Sequence, residues 1–156
     1  MAGVVISPAS QQQTDVGEIL SHGIPVVAID RDLHDRCVDT VLADNEGGAY
    51  RATRHLLGQG FSRIGCITGP AERTTADDRL TGHVRAHREV GLRVDEALAR
   101  RSNFRQRGGL HVGVTSCSSA DRPDALLVAN NLMTVGALEA VAQPSSVGPP
   151  VDVAPE

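Results

Sequence analysis

The sequence contains no lysine and no tryptophan, and its aromatic residues are one tyrosine and two phenylalanines. All 15 basic residues are therefore arginines, each with a planar guanidinium that donates several hydrogen bonds. A coding bias toward GC-rich codons is the plainer explanation for this preference. Because 19 acidic residues bring the net charge to −4, the composition argues against binding nucleic acid through a broadly basic surface.

Cysteine pairs and long apolar runs are missing as well. Cys37, Cys66 and Cys117 are far apart, odd in number and without a C-x-x-C pair, which speaks against zinc, redox and disulfide frameworks. We expect free thiols in a reducing compartment. No signal peptide precedes the first apolar run, and none of the runs approaches the roughly 18 residues that span a bilayer. These absences predict a cytoplasmic protein that does not associate with membranes.

Motifs that carry catalysis are also absent from the sequence. There is no G-x-S-x-G nucleophile turn, no H-E-x-x-H metal pair, and neither of the glycine-rich patterns that cradle phosphates. Of six histidines, only His83 and His87 are spaced to share a helix face, and two histidines alone make a weak metal site. We therefore predict no catalytic residues, no metal and no cofactor, and a small α/β enzyme is the least supported alternative.

What the sequence does contain is an alternation of short β-branched runs with helical patterns. Its 156 residues, 40% hydrophobic and 22% charged, suit a globular domain of ordinary size. Near-continuous apolar runs are typical of strands buried on both faces of a parallel sheet. Strands are predicted at Gly3–Ser7, Ile24–Asp30, Thr40–Asp44, Arg63–Thr68 and Ala125–Ala129.

The intervening segments have helical spacing. The first helix has Val16, Ile19 and Leu20 on one face; Thr14 or Asp15 can cap it and Gly23 can end it. The later helices are predicted from Asn45 to Gly60 (stripe Ala49, Thr53, Leu56, Leu57), Ala76–Gly91 (Leu80, Val84, His87), Gly108–Ser116, and Leu132–Val141 (Val135, Leu138, Val141). This order predicts an α/β fold with right-handed βαβ crossovers and a parallel sheet.

Polar residues stand where the predicted strands end, at Ser7, Asp30, Asp44, Thr68 and Asn130. Ligands of open parallel sheets bind beyond the carboxyl ends of the strands. The sequence therefore predicts a pocket for a small polar molecule at these ends.

Both ends of the chain read as cut. A core-type strand begins almost at once after Met1, and residues 143–156 contain four prolines. Prolines at this density leave no room for a regular helix or a central strand, so we expect a disordered or loosely docked tail. Within it, Val151–Ala154 has the pattern of the entry to a further strand.

Seven stretches, in order and at matching spacing between Gly3 and Val141, resemble the effector-binding core of the LacI/GalR family of transcription regulators. They are Gly23–Arg31, Asp44–Ala49, Thr53–Leu57, Arg63–Pro70, Arg73–Gly82, Asn103–Arg105, and Arg122–Met133 with Gly136–Leu138. Asn103 and Asn131 depart from the aspartates usual in the family.

The resemblance implies a two-lobed, periplasmic-binding-protein-like fold that senses a sugar, a nucleobase or a similar small effector between its lobes. It implies that residues 1–44 end the N-terminal lobe, residues 45–142 form most of the C-terminal lobe, and residues 143–156 are the tail. The family's helix-turn-helix headpiece has no counterpart here, so we expect no direct DNA contact by this chain. Homodimerisation through the family's lobe faces is a further implication.

Five ligand-binding candidates follow from the resemblance: Arg73, Thr75, Arg79, Phe104 and Asn130. Arg79 is the foremost, because it falls in the first turn of a predicted helix, where the macrodipole disfavours a cation by up to about 1 kcal/mol. Its guanidinium can donate two parallel hydrogen bonds to sugar hydroxyls or a carboxylate. The alternative is a surface arginine neutralised by Asp77 or Asp78.

The other candidates have plainer alternatives too. The family aligns Arg73 and Thr75 with positions that line the cleft, but Thr75 can equally cap the helix through the Asp78 amide. Phe104, implied to stack on a ring ligand, can be ordinary core. Asn130 can bond a hydroxyl. For its neighbour Asn131, we expect a helix cap.

Two interpretations of the whole chain remain beside effector sensing. The chain can be a vestigial or structural fragment that keeps the pattern without binding an effector. The stretch from Arg79 to Arg107, with eight arginines and three acidic residues, can contact phosphate, although a solvated face explains it more simply.

Overall fold

A computed structural model describes residues 2–8, 14–35, 37–71, 73–117, 122–142 and 152–155. Within them, the predicted strands and helices occur in the predicted order, one further strand at Ala99–Arg101 was not predicted, and the chain divides into two compact units, Met1–Asp44 and Asn45–Glu156. The elements are β1 (Val4–Ile6), α1 (Gly17–Ser21), β2 (Val26–Ile29), β3 (Asp39–Val41), α2 (Asn45–Gly58), β4 (Ile64–Thr68), α3 (Thr74–Glu89), a 3-10 turn (Glu96–Leu98), β5 (Ala99–Arg101), α4 (Gln106–Cys117), β6 (Ala125–Val128), α5 (Asn131–Val141) and β7 (Asp152–Pro155).

The first unit is a three-stranded parallel sheet in the order β1-β2-β3, with α1 packed on one face. The Asp15 carboxylate accepts a hydrogen bond from the Gly17 amide at 2.8 Å, and Gly23, at a φ of 71°, lets the chain turn after the helix. The predicted helix face is confirmed, since Val16, Ile19 and Leu20 pack in the same cluster as the inward strand residues.

The opposite face of this small sheet is open, which the sequence did not predict. Val5 and Val41 are 67% and 62% exposed, and Ile29 is 40% exposed. Alternation along each strand sends Val4 and Ala28 toward α1 and these three residues to the other side. The expectation of strands buried on both faces is therefore wrong for β1 and β2, because no described element of the first unit covers the second face.

The second unit contains a parallel sheet in the order β5-β4-β6-β7, and here burial on both faces is confirmed for the central strands. Every residue of β4 and β6 is buried. Leu126 and Val128 pack toward α4 and α5, whereas Leu127 packs with Ala49 of α2. The sheet therefore lies between two helix pairs, α2 with α3 and α4 with α5.

Two predicted helix faces are wrong in detail, and small residues explain both. On α3, His87 of the predicted face is buried, but so are Gly82, His83 and Ala86, while Leu80 and Val84 are only half-buried. A Cβ atom added to Gly82 would overlap the Glu46 carbonyl oxygen, so the absent side chain is what lets α3 approach α2. Close packing of backbones gains dispersion contacts that a larger side chain would prevent.

The last helix shows the same effect more strongly. Met133, Gly136 and Ala137 face the core, and a Cβ on Gly136 would overlap the Gln106 carbonyl oxygen of α4. Of the predicted apolar face, Val141 packs against the core, whereas Val135 and Leu138 lie outward and are about half exposed, at 47% and 50%. Close helix approach therefore outweighs side-chain hydrophobicity in choosing which face is buried.

The C-terminal segment also departs from the expectation of disorder. Asp152–Pro155 forms β7, which pairs in parallel with β6 at the edge of the sheet. Proline is tolerated in an edge strand because no second neighbour needs its missing amide. The predicted strand entry at Val151–Ala154 is thus confirmed for its described residues; residues 143–150 of the predicted tail lie outside the described residues.

Candidate ligand-binding site

Three loops of the second unit meet at one edge of its sheet. Because β4, β5 and β6 are parallel and adjacent, their carboxyl ends lie side by side. The loops that leave them begin at Gly69, Ser102 and Ala129. This edge, where the fold class predicts ligand binding, is called the rim below.

Arg79 connects three elements at the rim. Its Nε donates a hydrogen bond to Asn45 Oδ1 at 3.0 Å, and its Nη1 donates one to the Ala129 carbonyl oxygen. Asn45 begins α2 and Ala129 follows β6, so this one side chain from α3 joins both. The carboxylate of Asp77, offered above as a neutralising partner for Arg79, instead pairs with Arg101 at 2.7 Å.

Asn130 lies directly beside this contact and caps α5. Its Oδ1 accepts a hydrogen bond from the Met133 amide at 3.2 Å, and its backbone is extended, as a helix cap requires. The prediction that Asn131 is the cap is wrong, because Asn131 is already helical and bonds only its neighbour, the Leu132 amide. Among the residues that the structure describes, none accepts a hydrogen bond from the Asn130 side-chain amide.

Phe104 stands at the end of the loop from β5, with a φ of 59°. This left-handed conformation is rare for a bulky residue and is maintained only when the surroundings enforce it. The ring packs on Ile67 and Met133 and against Gly69, where a Cβ atom would overlap it. Phe104 therefore contacts the core, as one interpretation predicted. Because it is only half-buried and lies at the rim, its position is also compatible with the other interpretation, stacking on a ring ligand.

Arg73 and Thr75 flank the start of α3. Arg73 is the N-cap residue but makes no side-chain cap, and its amide donates to the Pro70 carbonyl oxygen at 3.1 Å. Thr75, the second helical residue, is only 5% exposed. The alternative in which Thr75 caps the helix is therefore wrong, because the residue lies inside α3. Since Thr75 is buried, only a small part of its side chain is accessible to a ligand.

Two residues at the rim, Asn45 and Arg101, were not predicted from the sequence as site residues. Asn45 was identified only as a helix start, yet it is buried and accepts the Arg79 bond. Arg101, at the end of β5, donates to the Gly69 carbonyl oxygen at 3.4 Å besides pairing with Asp77. The rule of polar residues at strand ends would have found Arg101 had β5 been recognised.

Thr68 meets that rule but is not available to a ligand. It is fully buried, and its hydroxyl donates to the Ala76 carbonyl oxygen at 2.8 Å. The hydroxyl therefore fastens α3 to β4, and the expectation that Thr68 contributes to the pocket is wrong.

The electrostatics of the rim combine a fixed guanidinium with nearby carboxylates. Burial raises the pKa of Asp78, and the neighbouring Glu46 and Asp77 raise it further, while Arg79 lowers it. Within the described ranges, no group of three or more metal-ligating side chains occurs. The rim can therefore bind a ligand through hydrogen bonds from guanidinium and amide groups and through contact with an aromatic ring.

Residues 1–147 match the family of periplasmic binding proteins and sugar binding domains of the LacI family. The chain belongs to this family. The ribose operon repressor of Escherichia coli (strain K12) is 31% identical to this LacI-family chain over 131 residues, which cover 84% of the chain and 39% of the repressor. The HTH-type transcriptional repressor PurR of Aliivibrio fischeri (strain MJ11) is 29% identical over 132 residues, which cover 83% of this chain and 39% of that repressor.

The fold agrees with that of solved family members. The crystal structure of a LacI family transcriptional regulator from Mycobacterium smegmatis matches with a TM-score of 0.81 at 26% identity, over 99% of this chain and 58% of that one. The predicted family and the periplasmic-binding-protein-like α/β fold are thus confirmed, and the matched part of the repressors is their effector-binding domain. The LacI-family chain spans about two fifths of the length of the curated relatives it matches.

Proposed function

We propose that this LacI-family chain senses a small polar effector, a sugar or a nucleobase, at the rim of its second unit. The observation that carries the proposal is the position of Arg79. Its side chain bonds both Asn45 and the Ala129 carbonyl, next to the side-chain amide of Asn130. A guanidinium held by the protein in this way is already oriented before a ligand arrives, which reduces the entropy lost on binding.

The proposed contacts have separate roles. Arg79 and Asn130 donate hydrogen bonds to hydroxyl or carbonyl oxygens of the ligand. The ring of Phe104 supplies an apolar face, which contributes on the order of 1 kcal/mol beyond simple burial. Arg73 lies near the same loop and adds a cation, whereas the buried Thr75 acts mainly by packing.

Calorimetric titration with a panel of pentoses, hexoses, nucleobases and nucleosides tests the proposal. Ribose is the first compound, since a ribose operon gives one relative its name. We expect one chemical class to bind, and Arg79→Ala to weaken that binding at least tenfold. Arg107→Ala, which removes an exposed arginine of α4, is the matched control and leaves the affinity unchanged. Absence of binding across the panel would support the alternative, a structural fragment that has lost its effector.

We also propose that the protein is not an enzyme, that it needs no cofactor and that it is located in the cytoplasm. The relatives are bacterial transcriptional repressors, and among the described helices none has the length and apolar character needed to traverse a bilayer. We also propose that this chain makes no specific DNA contact by itself. Nanomolar binding to an operator in a gel shift at physiological salt would refute that part.

Homodimerisation is proposed through the outward face of α5. Leu132, Val135 and Leu138 are each about half exposed there and recur every three residues along the helix. A stripe of this kind suits a second copy of the same helix, because a two-fold interface brings one patch against itself.

A further inference from the structure

A concavity lies on the outer side of α3, beside the edge strand β5. Its volume is about 530 Å³, which is in the range of small-molecule sites. The apolar part of its wall comes from both elements and from the segment between them: Leu80, Val84, Leu92, Val94 and Ala99. Arg88, Arg93 and Glu96 stand around it. This space is called the outer pocket below.

The segment that closes the outer pocket is held by backbone contacts. Gly91, at a φ of 75°, reverses the chain after α3, and the Leu92 amide donates to the His87 carbonyl oxygen at 3.0 Å. Further along, the Asp95 carboxylate accepts from the Ala97 amide at 3.0 Å and caps the 3-10 turn. The apolar wall is therefore a built surface and not the side of a loose loop.

The charges around the outer pocket are uneven. Four other arginines of the same unit are paired with carboxylates: Arg54 with Glu89, Arg63 with Asp95, Arg85 with Glu46, and Arg101 with Asp77. Arg88 and Arg93 have no carboxylate within 4 Å among the residues that the structure describes. The two guanidiniums that border the apolar wall are therefore available to neutralise an incoming anion.

We propose that the outer pocket binds a small amphipathic anion, a carboxylate that carries an aromatic or other bulky apolar group. The apolar body lies on Leu80, Val84 and Val94, and the carboxylate is bound by Arg88 and Arg93. Guanidinium and carboxylate match in geometry and form parallel hydrogen bonds. A polyhydroxylated sugar is excluded by the same wall, because its hydroxyls would lose water without gaining partners.

This site is separate from the rim. Arg79 directs its guanidinium to Ala129 and Asn45, whereas its neighbour Leu80 lines the outer pocket. The proposal therefore does not depend on the effector site, and each can fail alone.

Calorimetric titration of the whole chain with three probes tests the proposal. The probes are 2-naphthoate, its uncharged analogue 2-naphthamide, and acetate, which has the charge without the apolar body. We expect 2-naphthoate to bind with one-to-one stoichiometry, 2-naphthamide at least tenfold more weakly, and acetate without measurable heat. Equal affinity of the acid and the amide would overturn the proposal.

Variants then locate the binding. The double variant R88Q/R93Q should weaken 2-naphthoate at least tenfold, whereas R100Q/R107Q, with the same change of charge on exposed arginines elsewhere, should not. Val84→Glu, which places a carboxylate on the half-buried wall, should abolish binding. Thermal unfolding confirms that each variant is folded. Loss of 2-naphthoate binding in R79A but not in R88Q/R93Q would assign the probe to the rim and refute the outer pocket.

Discussion

The two helix pairs of the second unit approach each other in the same way and differ in what they present to their surroundings. In both pairs a glycine allows close backbone contact, Gly82 between α3 and α2 and Gly136 between α5 and α4. Outside that contact, α2 and α3 are joined by polar bonds, including Tyr50 to Glu89 at 2.6 Å and Arg54 to Glu89 at 3.1 Å. The α5 surface instead presents exposed leucine and valine side chains.

The difference separates a solvated polar face on α2 and α3 from an exposed apolar face on α5, where we propose that a second copy binds. Exposed ion pairs contribute little stability, but their solvation keeps a surface soluble and unattached. A contiguous apolar stripe has no such solvation and marks an interaction site. Four predictions test this comparison, in order of decreasing expected effect.

The largest effect is expected where the two pairs are alike. Gly82→Ala and Gly136→Ala each add a Cβ that overlaps a backbone oxygen, which cannot rotate away, so we expect a loss of about 3 kcal/mol of unfolding free energy. Gly48→Ala in α2 is the matched control. Its added Cβ meets open space, and helix propensity should raise the stability by about 0.5–1 kcal/mol. Urea unfolding measures all three, and equal effects would contradict the close approach.

The second effect is expected where the pairs differ. Val135→Asp puts a charge into the exposed stripe of α5 and should raise the dissociation constant of the proposed homodimer at least a hundredfold. Gln59→Asp, an exposed change beyond the end of α2, should leave association unchanged. Sedimentation across a range of concentrations measures both. A wild-type chain that stays monomeric at high concentration refutes the homodimer.

The third effect belongs to the interior of the α2–α3 pair. The His83 ring is buried and lies 3.2 Å from Thr53 Oγ1, with the His87 ring edge-on at 4.5 Å between centroids. Burial, with a smaller contribution from His87, lowers the pKa of His83 from 6.5 to about 3. The helix pair therefore encloses a neutral imidazole.

The consequence for stability has a definite sign. Between pH 6.5 and pH 3 the unfolded chain binds a proton at His83 that the folded chain does not. The contribution of the neutral His83 to the unfolding free energy is therefore fully present above pH 6.5 and is lost as the pH falls. We expect the unfolding free energy to fall by about 2 kcal/mol between pH 7.5 and pH 5. His83→Gln should remove this slope, and His55→Gln, at an exposed position of α2, should preserve it. A slope unchanged by His83→Gln would contradict the assignment.

The same helices show how far the sequence could be interpreted. Apolar runs and glycine positions predicted the order of the strands and helices except β5, because those signals are local and the three-residue strand Ala99–Arg101 has no apolar run. They placed Val135 and Leu138 inside, but the structure buries Gly136 and Ala137. Periodicity identifies an apolar stripe, and it does not indicate how closely a neighbouring helix approaches.

Some residues of the candidate site could likewise be predicted from the sequence, and others could not. Strand ends and family resemblance pointed to Arg79 and Asn130, which the structure places side by side through Ala129. The partner Asn45 is 34 residues from Arg79 in sequence, and no local pattern connects them. Whether Asn130 or Asn131 caps α5 depended on where β6 ends, which a one-residue shift decides.

The smallest effect concerns the solvated face of α2 and α3. Tyr50 donates its hydroxyl to Glu89, and this bond is the largest cause of a pKa raised above 10.0. Glu89→Ala removes the bond and the negative charge, while the cations Arg54 and Arg85 remain, so the pKa of Tyr50 should shift toward or below 10.0. Since the sequence has one tyrosine, an ultraviolet titration reports it without overlap. The control Glu139→Ala, on α5, should leave the titration unchanged, and an unaltered curve in Glu89→Ala would show that water, and not this network, completes the α2–α3 surface.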